Sequence, residues 1–352
     1  MTFYSLKIKE VRQETSDCVS VAFDVPPQYL PHFSFTQGQY LTLKTVIGGA
    51  EIRRSYSICS SPFDAELRIA IKQVEGGIFS TFANKSLKKG MVLDVASPEG
   101  RFHTPLSKEH QKRYVLVAAG SGITPIFSIL KTVLTVEKES HVTLIYGNKN
   151  TASIIFREQI EGLKNKYIQR LRVIYVLSRE KMDAELLHGR INALKIKELC
   201  LKMPEILRGS EYFLCGPESM INDLKAEFLS QNIDKNNVHF ELFGTNKTHQ
   251  KAQNIVAENA IAEAKIKLDG VTFDVPIHEG ESVLDAALRI GADVPFACKG
   301  GVCCTCRAKV MGGEVAMDVN YALSEEEVEN GFILTCQAKA KTRELVVDFD
   351  VK

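Results

Sequence analysis

Apolar and polar positions alternate with a period of two over most of the first hundred residues, which is the pattern of half-buried β-strands. The runs are interrupted by dipeptides that favour turns, namely Pro26-Pro27, Gly48-Gly49 and Ser61-Pro62. We therefore expect residues 1–106 to form a six-stranded antiparallel β-barrel, with a short helix after Gly76-Gly77. The strands predicted by the pattern are Phe3–Val11, Cys18–Val25, Tyr40–Val46, Ile52–Cys59 and Leu67–Val74.

From Tyr114 onward the rhythm changes, and short β-rich runs alternate with longer stretches of helical periodicity. Such alternation is typical of an α/β domain in which helices cover both faces of a parallel sheet. We predict this architecture for residues 107–245. The predicted strands are Tyr114–Ala119, His141–Tyr146, Arg172–Leu177, Glu211–Cys215 and Val238–Phe243.

Residues 246–260 are polar and poor in aromatic and β-branched side chains, so we interpret them as a linker. Residues 261–352 form a third predicted domain, which we expect to be α+β. It begins with a predicted hairpin, Ala264–Leu268 and Thr272–Pro276. A helix is predicted at Ser282–Ile290, where Gly291 ends it.

Four cysteines in the third predicted domain have an informative spacing. Cys298, Cys303 and Cys306 form a C-x4-C-x2-C run, and Cys336 follows after a long gap. Plant-type ferredoxins bind a [2Fe–2S] cluster through four thiolates at this spacing. The alternatives are a structural zinc site and a set of reduced core cysteines, although zinc sites usually show two short C-x2–4-C pairs. Cys304 breaks the spacing, and we do not count it as a ligand.

The composition is that of an ordinary globular protein, with 45% apolar and 25% charged residues. No stretch approaches the roughly 20 apolar residues of a membrane span, and the N-terminus has no signal-peptide core. The odd number of cysteines, nine, argues against a disulfide framework. We therefore expect a cytoplasmic protein whose partners include neither a membrane nor a nucleic acid.

Charge is distributed unevenly along the chain. Residues 261–352 contain 16 Asp and Glu against 10 Lys and Arg, whereas the chain as a whole has a net charge of +1. An acidic cysteine-bearing domain is thus attached to a basic body. Complementary charges of this kind favour docking and fast encounter, but two merely solvated surfaces would give the same counts.

The segment Arg54-Ser-Tyr56-Ser57 offers the groups that a flavin site needs. Arg54 supplies a cation for a phosphate, Tyr56 a ring to cover the isoalloxazine, and Ser57 a hydroxyl for its reactive N5 edge. Alternation places Arg54 and Tyr56 on one face of the strand. A tyrosine in a strand is, however, more often a packing residue.

A glycine turn that opens a helix strengthens the flavin hypothesis. In Gly76-Gly77-Ile-Phe-Ser80, backbone N–H groups at the start of the predicted helix can bind a pyrophosphate, and Ser80 adds a hydroxyl donor. One flavin can span the two motifs. Because a pyrophosphate element is present, FAD is favoured over FMN.

The first strand of the α/β domain ends in Gly120-Ser-Gly122-Ile-Thr124-Pro125. We predict Thr124 as a helix N-cap and Pro125 in the first helical turn, so that a second helix N-terminus faces a phosphate. The third glycine of the dinucleotide fingerprint G-x-G-x-x-G is missing, which weakens an ordinary dehydrogenase interpretation. A simple strand–helix turn remains the alternative.

Two further segments follow strands of the same domain. Cys215-Gly216-Pro217 leaves room for a ring at the carboxyl edge of the sheet, so Cys215 is either a nicotinamide contact or one more buried cysteine. Ser178 and Arg179 can grip the 2′-phosphate that distinguishes NADPH from NADH. A solvated surface arginine is the alternative for Arg179.

These motifs resemble the ferredoxin-NADP reductase superfamily, and with the cysteine domain attached they resemble the reductase components of bacterial multicomponent oxygenases. Other segments resemble the reductase subunits of bacterial phenylacetyl-CoA epoxidases. They are Ile145-Tyr-Gly-Asn-Lys, Ser153-Ile-Ile-Phe-Arg, Leu187-His-Gly-Arg-Ile, Ala297-Cys-Lys-Gly-Gly-Val-Cys and Val346-Val-Asp-Phe-Asp. The resemblance covers essentially the whole chain.

The resemblance implies an FAD-binding barrel, an NAD(P)-binding α/β domain and a β-grasp [2Fe–2S] domain. It implies hydride transfer from NADPH, or alternatively NADH, to FAD, and delivery of single electrons to a diiron oxygenase that epoxidises the ring of phenylacetyl-CoA. Ser57 and Cys215 take catalytic positions beside the flavin and the nicotinamide, and Phe243 either stacks on the flavin or packs in the core. The other contacts implied are Arg54, Tyr56, Gly77 and Ser80 for FAD, Gly120, Gly122 and Thr124 for the dinucleotide phosphates, and the four cysteines for iron.

Two alternatives stay open at this stage. A reductase of the same architecture can serve another oxygenase, hydroxylase or desaturase. In a different class, a redox-sensing flavoprotein would use its cluster for signalling.

Overall fold

The computed structural model describes residues 1–243 and 260–351. The chain divides into two compact units, one over Thr2–Phe243 and a C-terminal one described over residues 260–351. The predicted linker at 246–260 lies, except for its last residue, outside the described residues. None of the helices in the described ranges combines the length and apolar character that a membrane crossing requires.

The first unit begins with a six-stranded antiparallel sheet whose strand order is β4-β3-β6-β1-β2-β5. A bridge between Ile58 and Ile69 joins its two edge strands, so the sheet closes into the predicted barrel. Helix α1 follows β5, as predicted. The elements are β1 (Phe3–Thr15), β2 (Cys18–Asp24), β3 (Tyr40–Ile47), β4 (Ala50–Ser57), β5 (Leu67–Lys72), α1 (Ile78–Ser86) and β6 (Val92–Ala96).

The turn between β3 and β4 shows how the sequence sets the register of the barrel. Ile47 pairs with Ala50, which leaves Gly48 and Gly49 as a two-residue loop. Both glycines have positive φ, +60° and +83°, the conformation that matches the twist of a hairpin. The register that follows pairs Leu41 with Tyr56 and so fixes the end of β4.

A five-stranded parallel sheet with the order β11-β10-β7-β8-β9 completes the first unit. The chain runs outward from β7 through β9 and then returns to the other side of β7. Ligands bind in such folds at the carboxyl ends of the strands where the order reverses, here β7 and β10. The elements are β7 (Arg113–Ala119), α2 (Ile123–Val136), β8 (His141–Asn148), α3 (Arg157–Lys166), β9 (Leu171–Leu177), α4 (Ala193–Lys202), β10 (Glu211–Gly216), α5 (Glu218–Ser230) and β11 (Val238–Leu242).

The barrel and the parallel sheet contact each other directly. The Phe102 ring meets the edge of the Phe213 ring, with centroids 5.3 Å apart. The Ser128 hydroxyl in α2 donates to the Ser60 carbonyl at 2.6 Å. These buried contacts hold β10 and α2 of the α/β domain against the barrel.

The C-terminal unit is a mixed five-stranded sheet, β13-β12-β18-β14-β16, in which β12 and β18 are parallel, with a separate ribbon formed by β15 and β17. Helix α6 packs against β13 and β17, which confirms the α+β prediction. Ser282 caps α6, its hydroxyl accepting the Asp285 N–H. The elements are β12 (Ala262–Leu268), β13 (Val271–Ile277), α6 (Val283–Arg289), β14 (Arg307–Gly312), β15 (Val315–Met317), α7 (Glu325–Glu329), β16 (Phe332–Leu334), β17 (Ala338–Ala340) and β18 (Glu344–Asp348).

Candidate functional site

The two motifs predicted to hold a flavin are neighbours in the barrel. Arg54 and Tyr56 lie at the end of β4, where Arg54 is exposed and its guanidinium donates to the Arg53 carbonyl at 2.6 Å. The half-buried Tyr56 ring packs on Phe79 in the first turn of α1, with centroids 5.5 Å apart. One ligand can therefore contact both Tyr56 and the turn at Gly77.

The turn before α1 uses its glycines for close approach. Gly76 has a φ of +71°, and a Cβ on Gly77 would lie 2.4 Å from the Ser80 hydroxyl oxygen. The Ser80 hydroxyl is buried, accepts the Val74 N–H at 3.1 Å and donates to the Gly77 carbonyl at 3.3 Å. Because this hydroxyl is committed inside the turn, the backbone N–H groups at the start of α1 are better placed to bind a phosphate.

Ser57 contacts a carboxylate that the sequence analysis did not single out. The Ser57 hydroxyl donates to Glu241 Oε2 at 3.0 Å, and Ser57 is buried. Desolvation raises the pKa of Glu241 to about 8, although the hydrogen bond from Ser57 opposes this shift. The available signal was an acidic residue in the otherwise apolar end of the last strand of the sheet.

Phe243 follows the end of β11 and is 39% exposed, so it does not lie in the core. It stands two residues after Glu241 in the chain. Its exposed aromatic ring is available to cover a flat ligand. Its stacking on a flavin stays a prediction.

The carboxyl ends of β7 and β10 touch at a glycine. After β7, a 3₁₀ turn at Gly120–Gly122 runs directly into α2. A Cβ on Gly122 would lie 2.0 Å from the Cys215 carbonyl oxygen, so only glycine fits there. Gly120 has a φ of +54°, which glycine adopts without a steric cost.

The predicted N-cap at Thr124 is wrong. Helix α2 begins at Ile123 with Gly122 in the cap position, and Gly122 already has right-handed helical backbone angles, with φ −58° and ψ −12°. Thr124 therefore lies inside the first helical turn, where its hydroxyl donates to the Ser121 carbonyl at 3.0 Å. Pro125 does lie in the first turn, as predicted.

Cys215 lies at the carboxyl end of β10, paired with Glu241 of β11. Its side chain is fully buried in the core of the α/β domain. Burial, and then the nearby Glu241, raise the pKa of the Cys215 thiol well above its ordinary value. The Cys215 thiol is therefore neutral and lies in the core. The Cys215 backbone lies next to Gly122 in the Gly120–Gly122 turn.

Lys72, the last residue of β5, is a cation that the sequence analysis missed. Its Nζ lies 4.0 Å from the position that a Cβ on Gly120 would occupy, and 3.6 Å from Asp17 Oδ2. The barrel thus supplies a positive charge to the dinucleotide turn of the parallel sheet. Nothing in the local sequence marks this role, because the contact joins two different sheets.

Ser178 and Arg179 follow the end of β9. The Ser178 N–H and hydroxyl both donate to the Asn148 carbonyl, at 2.9 and 3.4 Å, and the Arg179 N–H donates to the Lys149 carbonyl at 2.7 Å. The backbone of this loop is therefore fixed, while the Arg179 side chain is exposed.

A second arginine reaches the same end of β9. Leu177 forms a parallel bridge with His188, and the Gly189 N–H donates to the Leu177 carbonyl at 2.9 Å. Arg190 comes next in the chain and is exposed. The return of residues 188–190 beside β9 is not visible in local periodicity, so Arg190 was not among the predicted site residues.

The four predicted iron ligands form two pairs in the C-terminal unit. The Cys303 thiol donates to Cys298 Sγ at 3.1 Å and lowers the pKa of Cys298 to about 6. In the second pair, the Cys306 thiol donates to the Cys336 sulfur and lowers its pKa. No three His, Cys, Asp or Glu side chains within residues 1–243 and 260–351 converge on a single ion. Two pairs suit two bridged irons and not one tetrahedral zinc ion, so the donors fit a [2Fe–2S] cluster.

The loop around the first pair supports this assignment. The Gly300 N–H donates to Cys298 Sγ at 3.3 Å, as expected for a loop that wraps a sulfur-rich core. Gly301 has a φ of +74°, and a Cβ there would lie 2.9 Å from the Val319 side chain. The Cys304 thiol instead donates to the Ala322 carbonyl at 3.3 Å, in agreement with its exclusion from the ligand set.

Comparison with known proteins gives three matching domain models, which lie inside the three predicted domains. They are an oxidoreductase FAD-binding domain over residues 5–104, an oxidoreductase NAD-binding domain over 116–226 and a 2Fe-2S iron-sulfur cluster binding domain over 266–341. The chain is 42% identical over 352 residues to the E subunit of 1,2-phenylacetyl-CoA epoxidase from Escherichia coli, covering 100% of this chain and 99% of that one.

The chain belongs to the family of the 1,2-phenylacetyl-CoA epoxidase E subunits. It is also 31% identical over 352 residues to the ferredoxin reductase component of 3-ketosteroid-9-alpha-monooxygenase from Rhodococcus rhodochrous, covering 98% of this chain and 96% of that one. The fold is similar to that of phthalate dioxygenase reductase, with a TM-score of 0.60 and 22% identity over 99% of this chain and 98% of that one.

The chain is thus an oxidoreductase of the kind that serves multicomponent oxygenases. Its cofactors are FAD, a nicotinamide dinucleotide and a [2Fe–2S] cluster. The relatives are named as components of oxygenases, which indicates an oxygenase as its partner. The predicted resemblance is confirmed.

Proposed function

We propose that the chain oxidises NADPH and supplies electrons to the diiron oxygenase subunits of a phenylacetyl-CoA epoxidase. The observation that carries this proposal is the identity of 42% over the whole chain with the E subunit of such an epoxidase. The identity extends through all three domains and exceeds the 31% found with the ketosteroid monooxygenase component. When bound, the flavin accepts a hydride and the iron–sulfur cluster carries single electrons.

The barrel residues supply the binding and orientation of the flavin. Arg54 offers its exposed guanidinium to a phosphate, and the Tyr56 ring covers the isoalloxazine beside Phe79. Gly77 and the N-terminus of α1 receive the pyrophosphate. Ser57 holds the reactive edge, with its proton directed to Glu241 at 3.0 Å. Phe243 covers the ring system from the end of β11.

The parallel sheet supplies the dinucleotide site. Gly120, Gly122 and Thr124 surround the N-terminus of α2, where backbone N–H groups and the Lys72 cation meet a pyrophosphate. Cys215 and Gly216 place no large side chain at the point where the strand order reverses, so the space there is narrow but open. These residues would hold the nicotinamide on the side of Ser57, where hydride transfer would require positioning and no acid–base residue.

Preference for NADPH follows from the cations at the end of β9. Ser178 offers a hydroxyl, and Arg179 and Arg190 are exposed guanidinium groups on backbone segments held side by side. Guanidinium groups pair with phosphate through charge-assisted hydrogen bonds. We assign all three residues to the 2′-phosphate.

The nucleotide preference is tested with alanine variants of Ser178, Arg179 and Arg190. We expect each arginine variant to lower kcat/KM for NADPH by about tenfold or more while leaving kcat/KM for NADH within about twofold. Arg172→Ala is the matched control, because Arg172 lies at the opposite end of the same strand and pairs with Glu205. Equal losses with both nucleotides would contradict the assignment.

The partner is tested by reconstitution with purified diiron oxygenase subunits. We expect NADPH oxidation to be coupled to epoxidation of phenylacetyl-CoA, with saturation in the oxygenase. A Rieske-type oxygenase serves as the comparison acceptor. Equal or faster coupling to that acceptor, with no epoxide formed, would instead support a reductase for another oxygenase. Rapid reduction of the flavin with a cluster that stays oxidised over many seconds would support a redox sensor.

A further inference from the structure

Gln337 directly follows the fourth iron ligand, and its backbone is fixed on both sides. Its N–H donates to the Leu334 carbonyl at 2.8 Å, and its carbonyl accepts the Asp318 N–H at 3.0 Å. The side chain is only 8% exposed. A buried side-chain amide needs partners, because an unpaired polar group in the interior costs free energy.

The partners of this amide belong to the ligand loop. Gln337 Nε2 donates to the Lys299 carbonyl at 2.9 Å and to Cys336 Sγ at 3.6 Å. A carbonyl oxygen and a thiolate are both acceptors, so the nitrogen of the amide must face them. The two N–H bonds of one nitrogen thus link the loop between the first two ligands to the sulfur of the last.

The segment held by Gln337 has an unusual backbone. Lys299 has a φ of +51°, in the left-handed region that residues other than glycine rarely occupy. Gly301 packs directly on Gln337, since a Cβ there would lie 3.2 Å from Gln337 Cγ. Strained backbone persists where the surroundings determine it, and the Gln337 side chain provides one of those constraints.

We propose that Gln337 is a positioning residue of the cluster, which fixes the Lys299 carbonyl and donates a hydrogen bond to the Cys336 sulfur that sets the reduction potential. A donor to a cluster sulfur stabilises the reduced cluster, because that form has more negative charge. Gln337 therefore raises the potential of the cluster. The inference rests on the [2Fe–2S] assignment and not on the identity of the oxygenase.

The test is a redox titration of the full-length holoprotein with chemical reductant, followed by electron paramagnetic resonance of the reduced cluster. The variant is Gln337→Met, which keeps the length of the side chain and removes both donors. We expect two irons per chain, altered g-values and a tenfold less favourable reduction of the cluster, which corresponds to a shift of about 59 mV to more negative potential.

Asn320→Leu is the matched control. The Asn320 side-chain amide also donates to a backbone carbonyl of the same unit, that of Leu323 at 3.1 Å, but no contact joins it to a cluster cysteine in the described part of the chain. We expect its potential and its g-values to equal those of the parent protein. A shift as large as that of Gln337→Met would mean that loosening of the fold, and not the sulfur contact, moves the potential, and would overturn the proposal.

Further outcomes are equally decisive. If Gln337→Met binds two irons with unchanged potential and spectrum, the proposal is wrong. If that variant does not retain iron, Gln337→Asn keeps the amide but shortens its reach by one methylene. We then expect a retained cluster with a more negative potential, and an unchanged potential in the Asn variant overturns the proposal. Because no step needs NADPH or an oxygenase, these results are separable from failure of the proposed function.

Discussion

The Ser57 hydroxyl donates a 3.0 Å hydrogen bond to the Glu241 carboxylate and so joins the end of β4 in the barrel to the last strand of the parallel sheet. The two residues are 184 positions apart in the chain. In the proposed function, this contact marks the place where the flavin and dinucleotide sites meet. The proposed reactive centre is therefore assembled only when both halves of the first unit are folded together.

Replacing Ser57 with alanine removes the hydroxyl at this junction. We expect Ser57→Ala to retain FAD but to slow reduction of the flavin by NADPH about 10- to 100-fold, because the reacting groups lose a positioning contact. Stopped-flow absorbance measures the rate. Ser55→Ala is the control, because the Ser55 hydroxyl pairs with Thr42 at 3.1 Å instead. Equal rates in the two variants would argue against a role of Ser57 in the hydride step.

Glu241 makes the stability of the flavin-free protein depend on pH. Its pKa is about 8 when folded, above the ordinary value of 4.5, so between these values the folded state binds a proton that the unfolded state has lost. Stability attributable to this group is therefore greatest below about pH 4.5 and is lost as the pH rises toward 8. We expect the free energy of unfolding of the parent, relative to Glu241→Gln, to fall by about 2 kcal/mol between pH 6 and 8.

Denaturant unfolding at several pH values gives this difference. Glu241→Gln is the reference for the parent protein, because the two proteins share all other titrating groups. Parallel pH profiles for the parent and Glu241→Gln would show that Glu241 titrates normally. A difference that grows as the pH rises from 6 to 8 would have the wrong sign.

Gly122 is a residue at which a single added methyl group would clash with the backbone of a neighbouring strand. The Cβ of Gly122→Ala would lie 2.0 Å from the Cys215 carbonyl oxygen, so we expect a loss of about 1–3 kcal/mol in stability together with weaker NADPH binding. Gly162→Ala in α3 is the matched control, because no atom lies within 4 Å of its Cβ position. We expect this control to be stabilised by about 0.5–1 kcal/mol. Thermal unfolding distinguishes the two.

We expect Lys72 and the arginines at the end of β9 to recognise different parts of the dinucleotide. A pyrophosphate is common to both nicotinamide dinucleotides, so we expect Lys72→Met to raise KM about equally for NADPH and NADH. Steady-state kinetics with each nucleotide measure the two ratios. An increase in KM for NADPH alone would assign Lys72 to the 2′-phosphate site and would contradict its proposed role beside Gly120.

Removal of one iron ligand tests the independence of the two units. We expect Cys336→Ser to lose the cluster while keeping FAD and NADPH-dependent reduction of ferricyanide, because the matched FAD-binding domain (residues 5–104) and NAD-binding domain (residues 116–226) lie wholly within Thr2–Phe243. Iron analysis and flavin absorbance measure the two cofactors separately. Loss of flavin together with iron would contradict separable units.

The fold was largely predictable because its information is local. Alternation located the barrel strands, Gly48-Gly49 located a hairpin, and the spacing of four cysteines located the cluster. Thr124 shows where local rules fail, since a 3₁₀ turn before the helix moved the cap to Gly122. Capping depends on backbone angles that residue types do not fully determine.

A different cause explains why three candidate site residues were not predicted from the sequence. Glu241, Lys72 and Arg190 each reach the site through a contact between strands or segments distant in sequence. No periodicity or motif in the chain encodes such pairings, because they depend on which sheet edges meet. Lys72 and Glu241 were visible only as charged residues at or near the end of a strand, and Arg190 only as a charged residue in a loop. Charges in such places are usually solvated.

The positions of the iron ligands in the chain also set the order in which the cofactor sites can form during synthesis. Cys298, Cys303 and Cys306 emerge from the ribosome before Cys336, and all four emerge after the complete flavin-binding unit. Flavin insertion can therefore precede metal insertion in every nascent molecule. In an iron-starved cell we expect yellow, cluster-free chains to accumulate, and the ratio of iron to flavin in the purified protein then reports how far maturation has proceeded.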